Sequence, residues 1–218
     1  MKPYFIQTLK KILLKDKIVF VSVCILLFWI VIGLAPILSA HFSNIPTRLS
    51  TRLQGVSSQY LFGVDTNGQS IGLLLMNGAS TSIIVSLFTV SMSLLLGVPL
   101  DALSGFFGGK VDLIICRFMD IILAFPPLIL PITIMAFFGG GLFNVVLALS
   151  LTGWVSYARL IRGQFLTFKE REFVLAAKSL GSNHFRIMFL HIFPNIISPL
   201  AVQCTFSLAS VIISEAGL

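Results

Sequence analysis

His184 and His191 stand seven residues apart, a spacing that puts two imidazoles on one helix face and could begin a metal site. No third ligand accompanies them, so a structural or interfacial role is the stronger reading. Cys24, Cys116 and Cys204 lie singly in or beside apolar runs with no CxxC pair, which is the pattern of ordinary buried thiols. The run SGFFGGKV, Ser104–Val111, has the outline of a phosphate-binding loop. It fails as one because Ser104 replaces the first glycine and Val111 replaces the Ser or Thr that would bind magnesium. There is no GxSxG, no HExxH and no His–carboxylate pair inside an apolar run. No catalytic residue, cofactor or metal is expected.

The scaffold around these residues is a membrane one. The sequence is 56% hydrophobic and 11% charged, with a mean hydropathy of +1.00, too apolar to give a soluble domain its polar surface. The charges are bunched, which leaves Ile18–Leu38, Ala79–Leu100, Ile121–Phe138, Leu142–Ala158 and Ile192–Ile213 free of Lys, Arg, Asp and Glu. About 20 helical residues cross a hydrocarbon core of about 30 Å, so five spans are expected. One such run could be a soluble core helix; five could not. The first run is longer than a signal-peptide core and lacks a good cleavage context, so it is read as a retained helix.

Orientation follows from the cations. Lys2, Lys10, Lys11, Lys15 and Lys17 precede the first span, Lys110 and Arg117 follow the second, and Arg159, Arg162, Lys169, Arg171, Lys178 and Arg186 follow the fourth. Only Arg48 and Arg52 fall on the other side. Short cationic connections stay in the cytoplasm, which places the N-terminus inside. The net charge of +7 is thus a topology signal and not a nucleic-acid footprint.

Three parts are expected: 1–40, a cytoplasmic amphipathic start (Tyr4, Phe5, Leu9, Ile12 and Leu13 against lysines) and the first span; 41–78, an external segment; and 79–218, spans two to five with a cytoplasmic loop over 161–191. Gly105, Gly108 and Gly109 suit the reversal between spans two and three, and Gly139, Gly140 and Gly141 that between three and four. No internal repeat supports an inverted-repeat carrier. Pro126, Pro127 and Pro131 interrupt span three, and Pro194 and Pro199 the start of span five; bent pathway helices and simple packing fit them equally. Asp101, Asp112, Arg117 and Asp120 sit towards cytoplasmic ends and read as interfacial anchors, with Arg117 and Asp120 spaced to pair. Glu215, near the external end of span five, could cap, pair or line an entrance.

The loop Glu172–Asn195, EFVLAAKSLGSNHFRIMFLHIFPN, is the most structured polar stretch. Glu170 and Glu172 stand where a helix N-terminus favours acids. Phe173, Ala176, Ala177 and Leu180 make an apolar stripe at i, i+3, i+4 and i+7. Gly181 suits a left-handed stop, and Ser182 or Asn183 the next N-cap. A helix lying on the lipid interface and a docking element fit this pattern equally.

This loop resembles the EAA motif of permease subunits of binding-protein-dependent ABC importers, with Leu175-Ala176-Ala177, then Gly181, then His191-Ile192-Phe193-Pro194. KEREFV, HIFPN, LAFPP (Leu123–Pro127), FGVD (Phe62–Asp65), GVPL (Gly97–Leu100), GFFGG (Gly105–Gly109) and GWVSYARLIRGQ (Gly153–Gln164) are similar to the dipeptide, oligopeptide and nickel branch, so the resemblance covers Tyr60 to the end. It implies an all-α polytopic membrane protein with the type I importer (MetI-like) fold in the bacterial inner membrane. It also implies a heterodimer with a second permease subunit, two cytoplasmic ATPase subunits and a periplasmic binding protein. Glu172, Ala176, Ala177, Gly181 and Pro194 would form the ATPase-coupling loop; no substrate-binding residue is indicated.

Three positions depart from the family. Leu175 replaces the motif glutamate, Gly68-Gln69-Ser70 follows FGVD where Gly-Arg-Asp is usual, and Asp101 stands where small residues are usual. The family continues past SEAGL with a sixth span, so this sequence is expected to hold the fold without its last span, as a truncated or split-gene product. Dipeptide or oligopeptide import is the expected function. The alternatives are nickel-chelate import and a non-transporting remnant or scaffold that keeps the loop.

Overall fold

The computed structural model describes residues 17–38 and 45–218. The amphipathic start expected around Tyr4–Leu13 lies outside the described residues. The described secondary structure is helical apart from one isolated bridge, Val64 to Ser70. The helices are α1 (Lys17–Leu38), α2 (Ile71–Phe107), α3 (Gly109–Leu123), α4 (Ile129–Phe138), α5 (Leu142–Phe168), α6 (Glu172–Ser179) and α7 (Phe193–Ala216). A helical turn His184–Arg186 and a π-helical stretch Ile187–Ile192 run straight into α7. Two compact units divide within α2, at Ile83.

In the first unit, Gly33 lets α1 approach closely. A Cβ there would overlap the Ile83 side chain and sit 3.3 Å from the Ala79 carbonyl oxygen. The segment 45–70 is a network of turns. The Asp65 carboxylate accepts hydrogen bonds from the Asn67 and Gln69 amides at 2.8 Å each, which closes a loop around Gly68. Gly68 has φ +76°, and any side chain on it would collide with the Arg48 carbonyl. The Ile71 amide donates to the Gly63 carbonyl at 3.1 Å, so FGVD leads directly into α2. Helix α2 therefore starts at Ile71, earlier than the charge-free run suggested, because Ile71–Gly78 is itself apolar and helix-compatible.

In the second unit, α2 and α5 run parallel and almost touch. Gly97 packs on the Trp154 carbonyl and Tyr157, Gly105 packs on Phe165 and the Arg162 backbone, and Gly153 packs on Ser93. A Cβ would come within 2.8 Å of the Trp154 oxygen at Gly97 and within 2.7 Å of the Phe165 Cβ at Gly105. The contact face of α2 thus repeats every four residues as Val85, Thr89, Ser93, Gly97, Asp101 and Gly105, the row that forms a helix ridge. Small residues let backbones approach where lipid supplies no hydrophobic drive for association. A hydrogen bond crosses the seam too: Ser93 Oγ donates to the Ser150 carbonyl at 3.5 Å, while the Ser150 hydroxyl, bonded within its own helix to the Val146 carbonyl at 2.6 Å, lies 3.4 Å from the Thr89 carbonyl.

Among the described residues four helices are long and apolar enough to cross a membrane: Lys17–Leu38, Ile71–Phe107, Leu142–Phe168 and His184–Ala216. The expected third span is not a single helix. It breaks between Leu123 and Ile129, leaving α4 only 10 residues long. Pro126 and Pro127 favour the break, since neither can donate to the helix ladder and each disfavours the α conformation for the residue before it. Asn144 seals the next reversal, its amide donating to the Phe138 and Gly139 carbonyls at 3.0 Å each.

Gly105→Val should overpack the α2–α5 seam and destabilise the folded chain by about 1–3 kcal/mol. Gly163→Ala, where an added methyl meets nothing within 4 Å, should be neutral or stabilising by roughly 0.5–1 kcal/mol through helix propensity. Thermal unfolding of the two detergent-purified variants checks both.

Candidate functional site

The loop between α5 and α7 is built from strong local signals. Arg171, in an extended conformation, sits at the N-cap of α6, and Glu172 lies in the first turn, where the helix dipole favours an acid. Lys178 occupies the last turn, the complementary place for a cation. The helix stops at Gly181, φ +77°, with the Ser182 amide donating to the Ala177 carbonyl at 3.1 Å and the Gly181 amide to that of Lys178 at 3.0 Å. This is a Schellman stop, and it requires the left-handed residue that the sequence supplies. Of the two candidate N-caps for the following turn, Asn183 is the one used; its side chain accepts from the Phe185 amide at 3.4 Å.

Packing sets which face of α6 remains free. Val174 and Ala177 are buried in a cluster with Ala102 of α2, Ile161 and Phe165 of α5, and Ile187, Met188, Ile192 and Ile196. The expected stripe of Phe173, Ala176, Ala177 and Leu180 is therefore split. Ala177 turns inward with Val174, while Phe173, Ala176 and Leu180 remain exposed, Phe173 with its ring 6.3 Å from that of Phe168. Leu180 is 86% exposed and Leu175 50%, so the outer surface of this short, doubly fixed helix is largely apolar. Glu172 is exposed at its edge. Pro194 lies outside the helix, in the first turn of α7, directly after the π-helical stretch. The five sequence-selected residues thus divide: Glu172 and Ala176 sit on the free surface, Ala177 in the core, Gly181 at the stop of α6 and Pro194 in the first turn of α7.

Beside α6 lies a cleft of about 330 Å³ lined by Phe106, Phe107, Lys169, Glu170, Val174 and Lys178, with His184 and Ile187 closing it. The His184 ring stands edge-on to Phe106 at 5.5 Å, which gives this histidine a packing role. His191 contributes its carbonyl oxygen, which accepts from the Asn195 side chain at 2.7 Å.

A second constellation joins the α2–α5 seam to α3. Arg162 of α5 binds Asp112 of α3 in a two-pronged ion pair, Nε to Oδ1 at 2.5 Å and NH2 to Oδ2 at 2.7 Å. Ser104 of α2 donates to the same Oδ1 at 2.6 Å. Such paired, planar recognition is the strong form of an arginine–carboxylate contact. Asp112 and Arg162 are 50 residues apart, so no local pattern announces their pairing; the sequence reading instead paired Arg117 with Asp120. Both of those are exposed, and among the described residues the ion pair formed is Arg162–Asp112. Nor is Asp101 an interfacial anchor. It is fully buried, because α5 covers the face of α2 on which it stands.

These features meet in one family. Residues 97–218 match the binding-protein-dependent transport system inner membrane component, and the chain belongs to that family, whose members are membrane permease subunits of transporters and not enzymes. It is similar to the dipeptide transport system permease protein DppC of Alkalihalophilus pseudofirmus, 36% identical over 209 residues, covering 95% of this chain and 68% of that protein. The oligopeptide transport system permease protein OppC of Bacillus subtilis is 33% identical over 203 residues, 93% of this chain and 67% of that protein. The glutathione transport system permease protein GsiD of Pectobacterium atrosepticum is 34% identical over 165 residues, 76% and 55%. The chain spans about two thirds of the length of the first two relatives and about half of the third.

Arg162→Gln should leave Asp112 with only the Ser104 hydroxyl and the weak Cys116 thiol donor and cost about 1.5–3 kcal/mol, the range for hydrogen bonds to charged groups. Arg117→Gln, an exposed change, should stay within about 0.5 kcal/mol. Chemical denaturation of the two variants in the same detergent distinguishes them.

Proposed function

We propose that the chain is a permease subunit of an ATP-driven importer that moves dipeptides or oligopeptides across the bacterial inner membrane. Its N-terminus and the loop 161–191 face the cytoplasm, and α6 docks on an ATPase subunit. The observation that carries this reading is the exposed side of α6, where Phe173, Ala176 and Leu180 are open to the surroundings although apolar. A helix of eight residues stopped at Gly181 and anchored by Val174 and Ala177 is too well fixed to be a passive connection. It suits a rigid knob that a soluble partner grips. The cation-rich connections support its cytoplasmic placement.

On this reading Ala176 allows close approach by the ATPase, and Glu172 borders the contact. Ala177 seats the helix on the permease core, while Gly181 and Pro194 set the angles at which the chain leaves and re-enters the bilayer. Closure of the ATPases would push α6 against Phe165 and so against the α2–α5 seam. A second permease subunit would complete the pathway, and a periplasmic binding protein would deliver the substrate. Peptide import is favoured over nickel because the similar proteins reported above are peptide and glutathione permeases. In this arrangement residues 1–40 hold the N-terminal segment and first span, 41–78 the external segment, and 79–218 the permease core.

The test is reconstitution of the chain with its ATPase, partner permease and binding protein in proteoliposomes. Ala176→Arg should lower substrate-stimulated ATP hydrolysis and uptake at least about tenfold, the effect of losing roughly 1.4 kcal/mol or more at a docking contact, with membrane insertion unchanged. Full stimulation in that variant would remove α6 as the docking element.

A further inference from the structure

Asp101 is fully buried, and neither of its carboxyl oxygens has a hydrogen-bond partner among the described residues. A buried carboxylate left unpaired is costly and is expected to find a counter-charge in some state of the protein. The α2–α5 seam locates one. Gly97, four residues before Asp101, packs on Trp154–Ala158, and Gly105, four residues after it, packs on Arg162 and Phe165. The helices run parallel, so Asp101 lies level with the turn just before Arg162. Side chains on a helix lean towards its N-terminus and cover the turn before their own Cα. The Arg162 side chain therefore lies over the level that Asp101 occupies.

The same guanidinium now holds Asp112 through Nε and NH2, two nitrogens of a group with five donor hydrogens. Ser104 links the two acids: it bonds Asp112 and lies three residues after Asp101, on the same face of α2. Helix α3, which carries Asp112, leaves α2 through Gly108 and Gly109, both at positive φ (+67° and +58°) with open space around them. That junction is a ready hinge between the helix that bears one acid and the helix that bears the other.

We propose that Asp101 is a second seat for Arg162, so that the guanidinium passes from Asp112 to Asp101 when α3 swings away about Gly108–Gly109. The described structure has the latch on α3. With the guanidinium on Asp101, α2 and α5 stay bound to each other and α3 loses its ionic hold, leaving the apolar packing of Met119 on Trp154, Val155 and Ala158 to yield to the swing. The charge on Asp101 is unfavourable in the first state and compensated in the second, which keeps the two states close in free energy and lets a modest push select between them.

Two interchangeable seats give a reversal of sign that a simple buried acid does not. Thermal unfolding is measured on the chain in its natural membrane complex, extracted in detergent. With Asp112 present, Asp101→Asn removes an unpaired buried charge and should raise Tm by roughly 2–4 °C. In an Asp112→Asn background, Arg162 rests on Asp101, and Asp101→Asn should lower Tm by a similar amount. In an Arg162→Gln background the reversal should vanish, with Asp101→Asn raising Tm whatever stands at 112. Asp112→Ser serves as the background if Asp112→Asn does not assemble. A rise or no change in Tm for Asp101→Asn without Asp112, or a reversal that survives Arg162→Gln, overturns the proposal.

Discussion

The close parallel contact of α2 and α5 is the constraint on which the rest of this structure hangs. Between Thr89 and Gly105 every fourth residue of α2 is small or short, except Asp101, and the helices approach until carbonyls and Cβ positions meet. In hydrocarbon, two apolar helices gain little by leaving lipid for each other, so the attraction must come from packing and from hydrogen bonds such as Ser93–Ser150. Glycine makes that packing possible and side-chain bulk would undo it. The seam then fixes Arg162, whose guanidinium holds α3, and Phe165, whose ring enters the core beneath α6.

Phe165 is the mechanical centre of this arrangement. Its Cβ lies against Gly105 in the seam, and its ring shares a buried cluster with Val174 and Ala177 of α6 and with Ile187, Met188 and Ile192 of the π-helical stretch. A displacement of α6 cannot be absorbed locally, because close-packed side chains transmit strain. The π-helical stretch at Ile187–Ile192 is the softer side of the joint. Its looser hydrogen bonding, just before Pro194, gives α7 room to change its angle without unfolding.

Much of this was legible in the sequence, and the parts that were not share a cause. Charge-free runs and the signals at Glu172, Gly181 and Asn183 depend on neighbours within a few residues, and the structure realises α1, α2, α5, α6 and the α7 run accordingly. The break at Pro126-Pro127 was visible as proline but not as two short helices, since proline in a membrane helix can kink or stop it depending on what surrounds it. The side of α6 that turns inward depends on Phe165 and Ile161 in another helix, so the four-residue stripe was read whole when only Ala177 of it is buried. Asp112–Arg162 and the burial of Asp101 were missed because both depend on a helix pairing across some 50 residues, which periodicity cannot reveal.

Under the proposed docking of α6 on an ATPase, the loop between α5 and α7 would act as a lever between that partner and the α2–α5 seam. The most direct measurement replaces Cys24, Cys116 and Cys204 by serine and places single cysteines at Phe173, Ala176 and Leu180, with Val174 as the inward control. Labelling by a membrane-permeant maleimide is then compared with and without the ATPase subunits. The account expects Phe173→Cys, Ala176→Cys and Leu180→Cys to label readily alone and to be protected in the assembled transporter, and Val174→Cys to label poorly in both. Equal labelling of the three outward positions with and without the ATPases would contradict it.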